Sequence, residues 1–124
     1  MKVKDLKLGR LISVEPSTRL GEIARRMRVD DADSVAVMSR GRLVGIVTER
    51  DLVRAMADGI DPQEAAAEVV MSIDPATVDP DDDVSVVAVR MMRLGVRHFP
   101  VIGEDGKPVG LVSARDLVRG LDRD

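Results

Sequence analysis

At 124 residues and 44% apolar, the chain can build one compact domain or two small units sharing a core, but Phe99 is its one aromatic, so Leu, Val, Ile and Met must fill the interior. The absence of cysteine excludes a disulfide framework and a thiolate metal site. No apolar run approaches a membrane span or the core of a signal peptide, so a cytoplasmic protein is expected. Net charge is −3, with 12 Lys and Arg against 9 Asp and Glu over residues 1–60 and 7 against 13 over 61–124; without a basic block or an aromatic platform, neither a nucleic acid nor a membrane is an expected partner.

Residues 1–10 read as a lead-in with one turn of helix. Leu11 to Val14 reads as a short strand, and Thr18 is a candidate N-cap. Leu20, Ile23, Ala24 and Met27 then fall at i, i+3, i+4 and i+7 with charged residues between them, the pattern of an amphipathic helix. Ser34 to Met38 and Leu43 to Val47 predict a hairpin across the turn Ser39 to Arg42. A helix follows from Glu49 to Ala57 and stops at Asp58 and Gly59. Residues 61–67 form a connector too short for a flexible tether.

The same order then returns. Ala76 to Val78 reads as the short strand, and Val84, Val87, Ala88 and Met91 repeat the stripe of Leu20, Ile23, Ala24 and Met27 at an offset of 64. His98 to Ile102 and Pro108 to Val112 predict the second hairpin, and Arg115 to Leu121 the closing helix. There Leu117, Val118 and Leu121 mirror Leu52, Val53 and Met56 at an offset of 65, so one residue is gained between the first and last helices of the second copy. Matched core positions in register identify an internal repeat.

The centre of each repeat is a strand running straight into a helix. Gly45, Thr48, Arg50 and Asp51 match Gly110, Ser113, Arg115 and Asp116 at an offset of 65. Thr48 and Ser113 sit at N-cap positions with an acid three residues on, which is a capping-box spacing. Such a junction also points free N–H groups and the positive end of a helix dipole outward, which suits a phosphate. Its hydroxyl and carboxylate suit the hydroxyls of a ribose. The capping and the binding readings of these residues coexist.

With these junctions, Val70-Met71-Ser72 before the second copy and the run Arg97 to Val101, the chain resembles a CBS-domain pair, or Bateman module, over nearly its whole length. The resemblance implies an α/β (α+β) fold of two tandem β-α-β-β-α repeats packed with pseudo-twofold symmetry, with two clefts between them for adenosine-containing ligands. Repeat 1 with its lead-in is expected over residues 1–60, the connector over 61–67 and repeat 2 over 68–124. It also implies that Asp51 and Asp116 accept hydrogen bonds from ribose hydroxyls while Thr48, Ser113, Arg50 and Arg115 approach phosphate.

Arg97 and His98 precede the second hairpin, where basic residues of nucleotide-binding relatives reach phosphates, whereas Ala32 and Asp33 are expected at the corresponding places of repeat 1. An acid there opposes an anion, so the second site is the expected nucleotide site. Val78, Pro100 and Val101 are expected to line an apolar slot for adenine. AMP, ADP and ATP head the expected ligands, with NAD and S-adenosylmethionine sharing the same adenosine chemistry. No cofactor is required by any residue.

The acidic runs Asp30, Asp31, Asp33 and Asp79, Asp81, Asp82, Asp83 lack EF-hand spacing and read as solvated acids, so no metal site is expected. One histidine, no cysteine and no nucleophile motif leave no catalytic residues and no enzyme. The expected function is a regulatory module sensing adenine nucleotides; the alternative is a ligand-free scaffold acting through protein–protein contact, and the residues name no regulated partner. The helix after Pro80 is apolar on several sides, with Val86, Val89, Met92 and Leu94 off its stripe. A helix of that kind is normally covered on more than one side. A homodimer is therefore expected through Val86, Val89 and Met92, with Met56 and Leu121 nearby.

Overall fold

Two hairpins, each feeding directly into a helix, frame the structure, a computed structural model that describes residues 1–122. Residues 123 and 124, the end of the range expected for repeat 2, lie outside the described residues. The chain divides into two compact units, one of residues Arg10–Pro75 and one of Met1–Gly9 with the described residues from Ala76 onward. The units do not follow the repeat boundaries: the lead-in read as part of repeat 1 belongs to the unit of repeat 2, and the segment before repeat 2 completes the unit of repeat 1.

In the first unit β1 (Ser13–Val14), α1 (Leu20–Val29), β2 (Ser34–Ser39), β3 (Arg42–Thr48) and α2 (Glu49–Ala57) follow the expected order, and α3 (Ala67–Val70) and β4 (Ser72–Ile73) close it. The sheet order is β1-β2-β3-β4, with β1 parallel to β2 and the other pairs antiparallel. Val35, Val37 and Val47 share a core with Leu20, Ile23 and Met27, the helix stripe read from the 3.6-residue period, and β2 is buried continuously from Ser34 to Val37. Ala24, assigned to that stripe, is exposed. At i+4 from Leu20 it falls on the stripe's edge. Thr18 does not cap α1: the N-cap is Arg19, and the Thr18 hydroxyl instead accepts the Glu15 N–H at 3.1 Å.

The second unit holds a 3-10 turn (Val3–Asp5), α4 (Val84–Leu94), β5 (His98–Ile102), β6 (Pro108–Ser113) and α5 (Ala114–Asp122). In place of a first strand it has a single parallel bridge, Val78 with Val101, at the spot where Val14 pairs with Val37 in the first unit. Phe99 is 1% exposed and, with Val84, Val87, Met91 and Val112, forms the core. Both hairpins carry a register shift at matched places, Val37/Met38 and Val101/Ile102. The added residue lies in the second turn. The first hairpin turns at Arg40 and Gly41, both at positive φ (52° and 76°), as a two-residue turn. The second uses Gly103 to Lys107, closed by Gly103 N–H donating to Lys107 O at 2.9 Å and Gly106 N–H to Gly103 O at 3.0 Å.

The closing segments are themselves a repeat. Ala67 N–H donates to Thr18 O (2.8 Å) and Glu68 N–H to Pro16 O (3.0 Å), while 64 residues away Val3 N–H donates to Asp82 O (3.0 Å) and Lys4 N–H to Pro80 O (2.9 Å). Val3 and Ala67 are both buried at matched positions. We call Lys2 to Leu8 the N-terminal strap. It is also held by a Lys4–Asp81 ion pair at 2.9 Å. That pair holds the Asp81 carboxyl below, and the Lys4 ammonium above, their ordinary values.

Candidate functional site

Each strand-to-helix junction is built by the same three devices. A glycine in the strand lets the closing segment lie against it: a Cβ on Gly45 would stand 2.6 Å from Met71 Sδ, and one on Gly110 would stand 3.0 Å from Leu8 Cδ1. The residue before the hairpin then gives its carbonyl to the helix start, Asp33 O accepting from Glu49 N–H at 3.1 Å and Arg97 O from Ala114 N–H at 2.8 Å. Finally the capping box closes. Thr48 N–H donates to Asp51 Oδ2 at 2.8 Å while Asp51 N–H donates to Thr48 Oγ1 at 3.4 Å. In the other unit Ser113 N–H donates to Asp116 Oδ2 at 2.8 Å and Asp116 N–H to Ser113 Oγ at 3.1 Å.

The box uses Oδ2 of each aspartate. An ionised carboxylate has acceptor capacity on both oxygens, so the cap leaves each group able to accept a ligand hydroxyl. Asp51 and Asp116 are half-buried, which favours a directed contact over a fully solvated one, while Arg50 and Arg115 are exposed in the first turn of α2 and α5.

The strand register gathers the residues of the second junction. His98 pairs with Ser113, and Arg97 adjoins the first turn of α5 through its carbonyl. Arg97, His98, Ser113 and Asp116 therefore share one corner. The same register corrects the matching of repeat 1: Ser34 pairs with Thr48, so Asp33 stands where Arg97 stands and Ser34 where His98 stands, one residue beyond the expected Ala32 and Asp33. The acid remains at this corner of the first unit, where its backbone carbonyl meets the start of α2.

Val78, Pro100 and Val101 form a separate line. Val78 N–H donates to Pro100 O and Ile102 N–H to Val78 O, both at 2.9 Å. All three side chains are buried, Val78 and Val101 within the core. Two neighbours of Asp116 escaped the sequence reading, Lys7 of the strap and Arg119 of α5, which line a cavity with it. The signal for the strap was present: Val3 and Leu6 precede repeat 1 as Ala67 and Val70 precede repeat 2. Among the described residues no group of three or more His, Asp or Glu is placed to hold a metal ion, and no helix is long and apolar enough to cross a membrane.

Comparison with known proteins meets this geometry. A protein of 17.7 kDa from Acidianus ambivalens is 36% identical over 121 residues, 97% of this chain and 73% of its own length. The inosine-5'-monophosphate dehydrogenase of Korarchaeum cryptofilum is 32% identical over 107 residues, 86% of this chain but 21% of the enzyme, and a Methanopyrus kandleri protein is matched over 57% of its length. The chain thus spans only part of several relatives. Among solved structures, a CBS domain protein from Pyrobaculum aerophilum complexed with AMP aligns over all of both chains with a TM-score of 0.86 at 26% identity. A CBS-domain-containing protein from Agrobacterium tumefaciens aligns over 98% of this chain and 99% of its own, with a TM-score of 0.89 at 28% identity. The family model for the CBS domain matches twice, over residues 3–58 and 66–123, and the chain belongs to the CBS-domain family as a tandem pair.

Proposed function

We propose that this protein is a non-catalytic regulatory module that binds an adenosine-containing nucleotide of the AMP, ADP or ATP class. Asp116 accepts the ribose hydroxyls, Ser113, Arg115, Arg97 and His98 attend the phosphate, and the backbone of Val78, Pro100 and Val101, whose side chains are buried, bounds the adenine. Thr48, Arg50 and Asp51 form the corresponding, weaker site. The observation that carries this reading is the pair of matched junctions, each presenting a half-buried carboxylate beside a helix N-terminus. The AMP complex of the Pyrobaculum relative supports the ligand class. A thermal-shift series with AMP, ADP, ATP, NAD and S-adenosylmethionine tests it, because a ligand that binds only the folded state raises its melting temperature. Stabilisation by none of the five leaves a scaffold that works through protein–protein contact.

The module acts as a homodimer in this reading. Val86, Val89 and Met92 are exposed along α4, whereas the matched positions of α1 carry Glu22, Arg25 and Arg28. Met56 and Leu121 are exposed on the closing helices. A twofold contact buries such a patch against its own copy. Light scattering across a dilution series reads it: a monomer at micromolar concentration ends the dimer reading, and a dimer unchanged by Val86→Glu with Val89→Glu moves the interface elsewhere.

A further inference from the structure

We propose that Lys7 of the N-terminal strap and Arg119 of α5 form an oxyanion seat beside Asp116, making this junction selective for a phosphorylated nucleoside. The inference rests on the nucleotide reading above and names the residues that distinguish a nucleotide from its nucleoside. Asp116, Arg119 and Gly120 fall at i, i+3 and i+4 and share one face of α5. Gly120 lets the strap lie on that face, since a Cβ there would run into Leu6 Cδ2 and stand 3.2 Å from Met1 Sδ. Between strap and helix remains a cavity of about 100 Å³, lined by Asp5, Leu6 and Lys7 on one side and by Asp116, Arg119 and Gly120 on the other.

Size limits the occupant, and the charged lining is two acids against two cations. Pockets for whole drug-sized ligands run to roughly 300–1,000 Å³, and a water takes about 30 Å³ of liquid volume. The cavity therefore suits a group the size of a phosphate rather than a nucleoside. Its two acids are engaged by backbone donors, Asp5 Oδ2 by Lys2 N–H at 2.9 Å and Asp116 Oδ2 by Ser113 N–H at 2.8 Å. Among the described residues neither Lys7 nor Arg119 makes an ion pair, so their donors remain for a ligand. The first unit is built otherwise. Met71 matches Lys7 at the offset of 64 but packs its sulfur on Gly45 as Leu8 packs on Gly110, and the buried Ala55 occupies the place of Gly120. One cation, Arg54, remains there where the second unit has two.

Calorimetry and amide NMR on the full chain, with AMP, adenosine and inorganic phosphate as probes, test the seat. Lys7→Met, which installs the residue of the other repeat, weakens AMP binding by roughly three- to tenfold and leaves adenosine unchanged, the range for a partly exposed charge-assisted contact. Arg119→Met does the same, and AMP and phosphate both shift the Leu6, Lys7 and Gly120 amides of the unmodified protein. Equal loss of AMP and adenosine, or AMP binding that leaves Lys7 and Gly120 unshifted, overturns the seat while the nucleotide reading stands. Absence of any response to AMP or adenosine at either junction overturns the nucleotide reading and the seat with it.

Discussion

Replacing Gly45 by alanine, against the same change at Gly110, probes the packing that sets the two junctions. A Cβ on Gly45 meets Met71 Sδ at 2.6 Å, Met71 Cγ at 2.9 Å and the backbone oxygen of Ser72 at 2.9 Å. The thioether can swing away; the Ser72 carbonyl is part of β4, whose Ser72 and Ile73 pair with Ile46 and Gly45. Overpacking of this kind costs about 1–3 kcal/mol, and the lost flexibility of the unfolded chain returns about 0.4–1 kcal/mol. Gly45→Ala should therefore lose about 1–2 kcal/mol, a fall in melting temperature of about 4–8 °C for a chain of this size. At Gly110 the nearest atom is Leu8 Cδ1 at 3.0 Å, the far end of a side chain, so strain and entropy nearly cancel and Gly110→Ala should stay within about 0.5 kcal/mol of the parent. Thermal and urea melts read both. Adding Met71→Ala to Gly45→Ala should recover less than the whole loss once the cost of Met71→Ala alone is subtracted, because the Ser72 oxygen stays in place. Equal melting temperatures for the two alanine variants, or a stabilised Gly45→Ala, refute the reasoning.

Phe99→Ala removes the one aromatic side chain from the core of its unit, where it is 1% exposed, and should cost about 3–5 kcal/mol in urea unfolding; a loss below 1 kcal/mol would mean that this core collapses around the gap. Gly95 ends α4 with φ +68° and open space around its missing Cβ, so Gly95→Ala should cost about 1–2 kcal/mol through the backbone alone, and no loss would show that the helix end refolds. The Lys4–Asp81 pair makes strap docking pH-dependent. Asp81 is depressed when docked, so its contribution is present above the ordinary value of 3.8 and lost as pH falls through the folded value. Lys4 is raised, so its contribution is present below 10.5 and lost as pH rises through its folded value. Protection of the Val3 and Lys4 amides, taken as exchange relative to the intrinsic rate at each pH, should be greatest between those limits, and Asp81→Asn should flatten the acid limb.

The period of Leu20, Ile23 and Met27 and of Val84, Val87 and Met91 was enough to find both buried helix stripes, because burial on one face leaves a 3.6-residue signature. The capping boxes were legible for a similar reason, since Thr48 with Asp51 and Ser113 with Asp116 act within four residues. The straps left only a short signal, Val3 and Leu6 matching Ala67 and Val70, which does not say what they pack on. Lys2 to Leu8 is too short for periodicity, and its partners, Asp82, Gly110 and Gly120, lie more than 70 residues away, so only the structure unites them. The alignment of Arg97 with Asp33 slipped by one residue for a related cause: both junctions had to be matched through strand register, which a hairpin bulge and an added turn residue obscure. Lys7 and Arg119 lie beside Asp116 only because the strap crosses α5 at a glycine.

The central claim is that Asp116 binds the ribose of an adenine nucleotide, and titration calorimetry of AMP against Asp116→Asn tests it most directly. Asparagine keeps a side-chain oxygen to accept the Ser113 N–H and so spares the helix start, while it removes the charge offered to the ribose hydroxyls. The account predicts that Asp116→Asn, folded and melting near the parent, loses AMP affinity at least tenfold, and that Asp51→Asn loses less. Unchanged AMP binding by Asp116→Asn, or a larger loss from Asp51→Asn, would contradict it.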